Sequence, residues 1–410
     1  MVCATGVGVQ AASGVLDLVD QRLSLMRDVA AYKWLNGLPI EDIDREATVI
    51  QNAAEAALRH GVEVSTTREL FRAQISAAKE IQQYWFERWA LGDRPASAQD
   101  LTRVVRPHLL ALGEQVLVSL ALQGCCRADA GDALNVEGLG AGSRAGLLHA
   151  LASVVRYRSR LDQVLQSGVL RIGTTGDYAP FSHRASEHEQ FVGIDIDLAR
   201  DLAASLDAEP RFVATSWPTL MDDLEAGRFD IAMSGVSRTL ARQRVGYFTR
   251  AYHVGGKTPI ARCGDRSRFG TLENIDRAGV RVIVNPGGSN ERFVDEHLKH
   301  AHKLLHDDNR SIFMAIAEGA ADVMITDRIE VTLQSELHHG VLCATMAENL
   351  TYQEKAYLLP RDDAWRSYVD AWLNQKRIEG ELDEVFALHL GANRADPTKE
   401  EPTKEELTKC

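Results

Sequence analysis

The texture of this sequence changes once, and that change limits the chain to two unlike parts. From residue 14 to 124, apolar residues recur at helical spacing, as Leu16, Val19, Leu23 and Met26 do, with no β-rich segment. A second helix is expected from Pro39 to about His60, stopping at Gly61, because proline suits a first turn and glycine an end. A third starts near Thr66 and continues through Ile75, Ile81 and Trp85. A fourth follows Ala96-Ser97 and ends at Gly124, with Pro107 either kinking it or marking its true start. Helices without strands specify an all-α bundle. GDALNVEGLGAGSRAG at 131–146 is glycine-rich and aperiodic, and reads as a linker or long loop. A further helical stretch leads to short apolar strands at 169–175, 210–215, 229–235, 279–285 and 321–327. Helical segments such as IDLARDLAASL and RFVDEHLKHA alternate with them, which specifies an α/β part with mainly parallel sheets.

Length and composition agree with that division. A chain of 410 residues is expected to hold two or three domains, and 45% apolar residues are ample for their cores. A net charge of −12 without a long basic cluster argues against nucleic acid or an anionic membrane as main partner. No apolar run reads as long enough for a membrane span. The start, MVCATGVGVQAASG, lacks the basic start and long apolar segment of a signal peptide; it is either a trimmed leader or a frayed native terminus. The charged, repetitive end at 395–410 is expected to be a disordered tail. Of six cysteines, Cys3 and Cys410 fall in the tails, and Cys125 and Cys126 are adjacent at a helix end. Cys263 and Cys343 are the candidates for a bridge in the second part; the alternative is two small buried apolar residues. No CxxC or Cys/His pattern points to a metal.

KWLNGLPIEDIDRE at 33–46 offers a fixed set of cations to a small dianion. Lys33 follows Arg22 by eleven residues, about three turns, so both leave one helix face. The next helix brings Asp42, Arg45 and Glu46 in its first turn, so two arginines and a lysine can converge with acids to orient them. This set, with its flanks over about 14–124, resembles the all-helical chorismate mutases, especially the exported type. The resemblance implies a concerted rearrangement of chorismate to prephenate, with no cofactor and no covalent intermediate. It implies that Arg22 and Arg45 clamp carboxylates, that Lys33 faces the ether oxygen, and that Gln82 is a second donor. Gln82 stands where exported mutases often have glutamate, Ala78 where serine or threonine is usual, and Gln115 about where a further arginine is expected. Against this, Arg and Lys on helices are usually solvated charges worth well under ~1 kcal/mol, and Asp42 reads equally as a plain helix cap.

The second part carries TTGDYAPFS (174–182), MSGVSRTLARQR (233–244), GKTPI (256–260), NPGGSNERF (285–293), MITDRIE (324–330) and QEKAYLLPR (353–361). These resemble the periplasmic amino-acid-binding fold, with GKTPI and QEKAYLLPR as crossings between two lobes. Over about 158–392 the motifs look more closely like the cyclohexadienyl dehydratases built on that fold, TSWPTLM among them. Prephenate or arogenate would lose hydroxide and carbon dioxide together, and hydroxide needs a proton donor. The resemblance implies Glu354 as that general acid. Arg242 would hold one carboxylate and the turn Gly288, Ser289, Asn290 another, through backbone N–H groups. Trp217 would wall the ring, with Asp177, Tyr178, Ser234, Gly235, Thr239, Lys257 and Asp327 as further site residues. The bland readings are a packed loop anchor for Trp217, a turn residue for Asp327, a hinge for Lys257 and an exposed pair for Glu354 and Lys355.

The expectation is therefore a multidomain chain: an all-α helix bundle at 14–155, then an α/β two-lobed periplasmic-binding-protein-like domain at 156–394. Lobe one would span about 165–257 and 353–394, and lobe two about 258–352. The leading function is a two-step enzyme needing no cofactor or metal, exported to the periplasm and self-associating as a homodimer or larger. The alternatives are an amino- or keto-acid receptor with a helical partner, and a dehydratase whose bundle is a degenerate mutase.

Overall fold

The computed structural model describes residues 14–123, 133–186 and 188–391; the expectations for both termini and for Cys3, Cys125, Cys126 and Cys410 lie outside them. Two compact units divide between Ser167 and Gly168.

In the first unit, α1 (Val15–Ser24) passes through one helical residue, Leu25, into α2 (Met26–Leu35). Val15, Leu18, Val19 and Leu23 are buried, so the 3.6-residue period faces the core as expected. The next helix, α3 (Ile43–His60), begins four residues after Pro39: Asp42 caps it by accepting from Arg45 N at 3.1 Å, and left-handed Gly61 ends it. Glu63 caps α4 (Val64–Leu91) by accepting from Ser65 N and Thr66 N. A π-helical turn at Leu101–Val105 leads without a break into α5 (Arg106–Gln123), so Pro107 marks the change from π- to α-helix inside one helical run. Leu101–Leu122 is long and apolar enough to cross a membrane, contrary to the reading of the sequence. Leu101, Val105, Leu112, Val116, Leu117 and Leu120 are nevertheless buried in the bundle core.

The last six residues of the glycine-rich stretch are helical as well. α6 (Ala141–Ala152) starts after Gly140 and buries Leu147 and Leu151. α7 (Arg160–Ser167) belongs to this unit because Arg160 Nη1 and Gln163 Nε2 both donate to Leu58 O at 3.0 Å. These bonds to the end of α3 carry the unit past the expected limit at 155 to Ser167.

The second unit holds two five-stranded sheets. One runs Glu209–Ala214, Val169–Thr174, Ile231–Ala232, Leu358–Leu359, Tyr247–Phe248, with the first three parallel and the last two antiparallel. The other runs His302–Leu305, Arg281–Val284, Val323–Asp327, Lys257–Arg262, Leu342–Ala344, again parallel and then antiparallel. The chain crosses between the lobes twice, and the crossings pair as antiparallel strands, His253–Gly255 with Gln353–Lys355. Two sheets joined by a paired crossing put a cleft between the carboxyl ends of their strands.

Cys263 and Cys343 form a disulfide that closes an 80-residue separation within the second lobe. Loop-closure entropy for such a separation is about 4–5 kcal/mol in the chain-entropy account. Replacing both cysteines by serine should lower the urea midpoint of the second unit substantially, and reductant should reproduce the loss in the parent. Identical midpoints for oxidised and reduced protein would show that the bridge adds no stability.

Candidate functional site

In the bundle, α1–α5 enclose a cavity of about 390 Å3. Arg22, Lys33, Arg45 and Arg106 line it, together with Asp42, Glu46, Ala78, Lys79 and Gln82. Arg22 stands over the Phe71 ring at 5.3 Å; its Nε is shut off from solvent without a hydrogen-bond partner, and burial lowers its pKa to about 10. Lys33 Nζ donates to Ile40 O at 2.6 Å. Burial lowers its pKa, against the opposing pull of Asp42 and Glu46. Glu46 accepts from Lys79 Nζ at 3.2 Å. Gln82 is 4% exposed and donates Nε2 back to Ala78 O at 3.0 Å, leaving Oε1 without a partner.

Two features were missed in the sequence. Gln115 is exposed on α5, and the further arginines lining the cavity are Arg106, nine residues earlier on the same helix, and Arg59, which pairs with Glu114 at 2.7 Å. Pro107 was the available signal, since it puts Arg106 at the start of the helix beside the cavity. The other is Gln74, 3% exposed and lining the cavity.

In the second unit the lobes close on a cleft of only about 20 Å3, room for roughly one water. Tyr178, Trp217, Gly235, Arg242, Gly288, Ser289 and Asn290 line it, as do Ser237, Asn285, Asn309 and Lys355, which were not anticipated. Arg242 is 5% exposed and donates to Ser237 O at 3.0 Å, while Thr239 Oγ1 accepts from Arg242 N and so orients its turn. Burial lowers the Arg242 pKa to about 10, with Arg292 adding to the effect. Gly288 is the cap, and Ser289 and Asn290 the first residues, of the helix Ser289–His297, positions whose N–H groups have no partner within a helix. Trp217 donates Nε1 to Asp177 Oδ1 at 3.1 Å, and Asn309 Nδ2 crosses the lobes to Asp177 O at 2.8 Å. Ser234 accepts from Thr175 N behind the cleft, and Gly235 donates its N–H to the buried Asp195. A Cβ on Gly235, whose φ is +62°, would meet Phe181 and Tyr178 at 2.6 Å.

Asp327 sits below these groups and accepts from three donors. Lys257 Nζ lies at 3.0 Å, Lys355 Nζ at 2.6 Å, and the Tyr178 hydroxyl also donates. Burial alone would raise the carboxyl, but the two lysines hold it well below the usual carboxylate range. Lys257 also donates to Ser289 Oγ at 2.9 Å and to Asn290 Oδ1.

Glu354 does not reach this cleft. Successive residues of a strand point to opposite faces, and Lys355 takes the inner one. Glu354 turns outward, where its side chain is 33% exposed and pairs with Arg238 at 3.2 Å. A different glutamate has the properties of a proton donor. Glu330 is 2% exposed and accepts from Thr326 Oγ1, which itself accepts from Asn290 Nδ2 at 3.0 Å. Burial raises its pKa from 4.5 to about 8, with Asp327 adding to the rise and Lys257 opposing it. The signal was the last letter of MITDRIE: a glutamate three residues after the strand-end Asp327, on the first turn of Arg328–Leu337.

Residues 170–392 match the bacterial extracellular solute-binding proteins, family 3. The chain belongs to that family. Residues 13–83 match chorismate mutase type II. A curated cyclohexadienyl dehydratase of Pseudomonas aeruginosa is 52% identical over 235 residues, 57% of this chain and 87% of that protein. A secreted chorismate mutase of Yersinia pestis is 37% identical over 117 residues, 28% of this chain and 63% of that protein. Among solved structures, an ancestral amino acid-binding protein described as a precursor of cyclohexadienyl dehydratase superposes with a TM-score of 0.52 at 29% identity. That match covers 57% of this chain and 99% of the ancestral protein. The family members named for solute binding share the two-lobed frame, so the frame alone does not separate receptor from enzyme.

A raised carboxyl makes stability fall as pH rises between its unfolded and folded values, because only the unfolded chain releases the proton there. For Glu330 that window runs from about 4.5 to about 8. Glu330→Gln should therefore gain thermal midpoint relative to the parent on going from pH 5 to pH 8. A difference that does not change with pH would mean the carboxyl is not held protonated.

Proposed function

We propose that this chain performs two consecutive reactions, chorismate to prephenate in the bundle and prephenate to phenylpyruvate in the two-lobed unit. Arogenate in the second site would yield phenylalanine. The reading rests on the similarity of each half to an enzyme of that name and on the chemistry of the two cavities.

The first reaction breaks a carbon–oxygen bond and forms a carbon–carbon bond in one step. It needs a dianion held folded and donors at the ether oxygen, where negative charge grows. Arg22, Arg45 and Arg106 hold the carboxylates. Lys33 leaves Ile40 O for the ether oxygen, and Gln82 turns its amide from Ala78 O to the same atom. Asp42 and Glu46 fix the start of α3, so that Arg45 and Lys33 face inward.

The second reaction expels the ring hydroxyl as water while the ring carboxylate leaves as carbon dioxide, its bonding pair completing the aromatic ring. One proton is consumed, and Glu330 supplies it and is reprotonated from solvent after the lobes part. A glutamate buried behind cleft-lining Asn290 and linked to it through Thr326, with its pKa raised by burial to about 8, favours an enzyme over a receptor. Arg242 and the Gly288–Asn290 turn hold the substrate carboxylates, and Trp217 and Tyr178 flank the ring. The present cleft is too small for the substrate, so the paired crossings must open to admit it. A location outside the cytoplasm belongs to the same reading, supported by the disulfide, the extracellular family and a relative named as secreted.

Lys33→Ala should lower chorismate conversion by ~10²–10³, the usual effect of losing one preorganised donor, while prephenate consumption stays at the parent rate. Chorismate conversion at the parent rate would remove the bundle from the mechanism. Glu330→Gln should lower prephenate turnover by ~10²–10⁴, so that prephenate accumulates from chorismate, whereas Glu354→Gln should keep most activity. The opposite ranking would return the proton-donor role to Glu354.

A further inference from the structure

Resting on the mutase reading of the bundle, we propose that Gln74 is a substrate-binding residue that donates its amide to the same carboxylate as Arg22. Gln74 is 3% exposed, yet neither Nε2 nor Oε1 has a hydrogen-bond partner. Buried amides in folded proteins are almost always bonded, so a glutamine with both ends free requires a reason. The reason lies in where it sits. Gln74, Ala78 and Gln82 recur every four residues along α4 and all line the bundle cavity. Helical side chains lean toward the N-terminus, which carries Gln74 over the turn that holds Phe71. Phe71 is the ring beneath the Arg22 guanidinium, so Gln74 and Arg22 share one end of the cavity. Arg22 Nε is likewise enclosed and unpartnered. Two orphan donors at one end, one charged and one neutral, suit a single carboxylate. Ala78 brings no hydroxyl to this face, and Gln82 serves the ether oxygen in the proposed reaction, so Gln74 provides a neutral donor free for the carboxylate. Its Oε1 remains available to accept from the guanidinium or from a substrate hydroxyl.

The test uses the full chain and chorismate. Gln74→Met keeps length and volume but removes both polar ends. A hydrogen bond to a charged group converts to about a tenfold to hundredfold change in binding. The KM for chorismate should rise by that factor with kcat little changed, and the thermal midpoint should hold or rise because no amide is left unbonded. A parent-like KM, or a KM increase accompanied by a fallen midpoint, would overturn the proposal in favour of simple packing. Gln74→Glu supplies a readout that packing does not move. Its carboxylate should repel the substrate at pH 8, and its KM relative to the parent should improve toward pH 5 as it protonates. A KM ratio independent of pH would also overturn the role. A parent that converts chorismate beside an unaffected Met variant would sink this proposal alone, whereas a parent that does not convert chorismate would sink the mutase reading with it.

Discussion

One carboxylate gathers groups from both lobes and the return crossing at the centre of the closed two-lobed unit. Asp327 ends a strand of the second lobe, Lys257 begins the strand beside it, Lys355 comes from the return crossing and Tyr178 from the first lobe. All three partners donate to that one side chain. Removing it would leave two buried ammonium groups without a counter-charge, a far larger loss than deleting an exposed pair. The same clamp sets the chemistry. It fixes Lys257, which fixes Ser289 and Asn290 at the cleft wall, and Asn290 leads through Thr326 to Glu330. The ionised Asp327 beside Glu330 also makes a second ionisation there costlier, so one acid of the pair stays charged and the other protonated.

Architecture was legible because it depends on patterns many residues long. Helical periodicity through α1–α5 and the alternation of strands with helices after residue 168 are properties of whole segments, and single-residue errors do not disturb them. Boundaries failed where tertiary bonds decided them. Hydrogen bonds from Arg160 and Gln163 to Leu58 extend the bundle to Ser167, and packing of Leu147 and Leu151 makes a helix of a glycine-rich stretch. The apolar run of α5 passes for a membrane span because a helix at the centre of a bundle and one in a bilayer need the same residues.

Site residues were legible only to the precision of side-chain direction. In a strand, one residue is the difference between cleft and solvent, and Lys355 and Glu354 divide exactly on that alternation. Glu354 therefore stands on a crossing that reaches the cleft but on its outer face, and the proton donor proposed in its place, Glu330, lies on the helix that follows Asp327. In α5 an error of nine residues pointed to exposed Gln115 in place of cavity-lining Arg106. Arg22, Lys33 and Arg45 did reach one cavity, because their spacing follows helices whose phase the sequence defines well.

The two cavities use charge in opposite ways, and each way suits its proposed reaction. The bundle keeps Arg22 Nε, Gln74 and Gln82 Oε1 unbonded around about 390 Å3, so the cost of enclosing them is relieved only when a ligand supplies partners. A rearrangement without proton transfer asks for no more than such waiting polar groups and the cavity's cations. The cleft of the second unit satisfies Asp327, Lys257 and Lys355 internally and leaves about 20 Å3. There the charged groups spend their interactions on one another, and the consequence passed to the reaction is a neutral carboxyl at Glu330. Aromatisation with loss of hydroxide requires that state. An amino-acid receptor would have no use for a carboxyl kept protonated at neutral pH behind its ligand, which is why the Glu330 environment argues for catalysis more strongly than the frame around it.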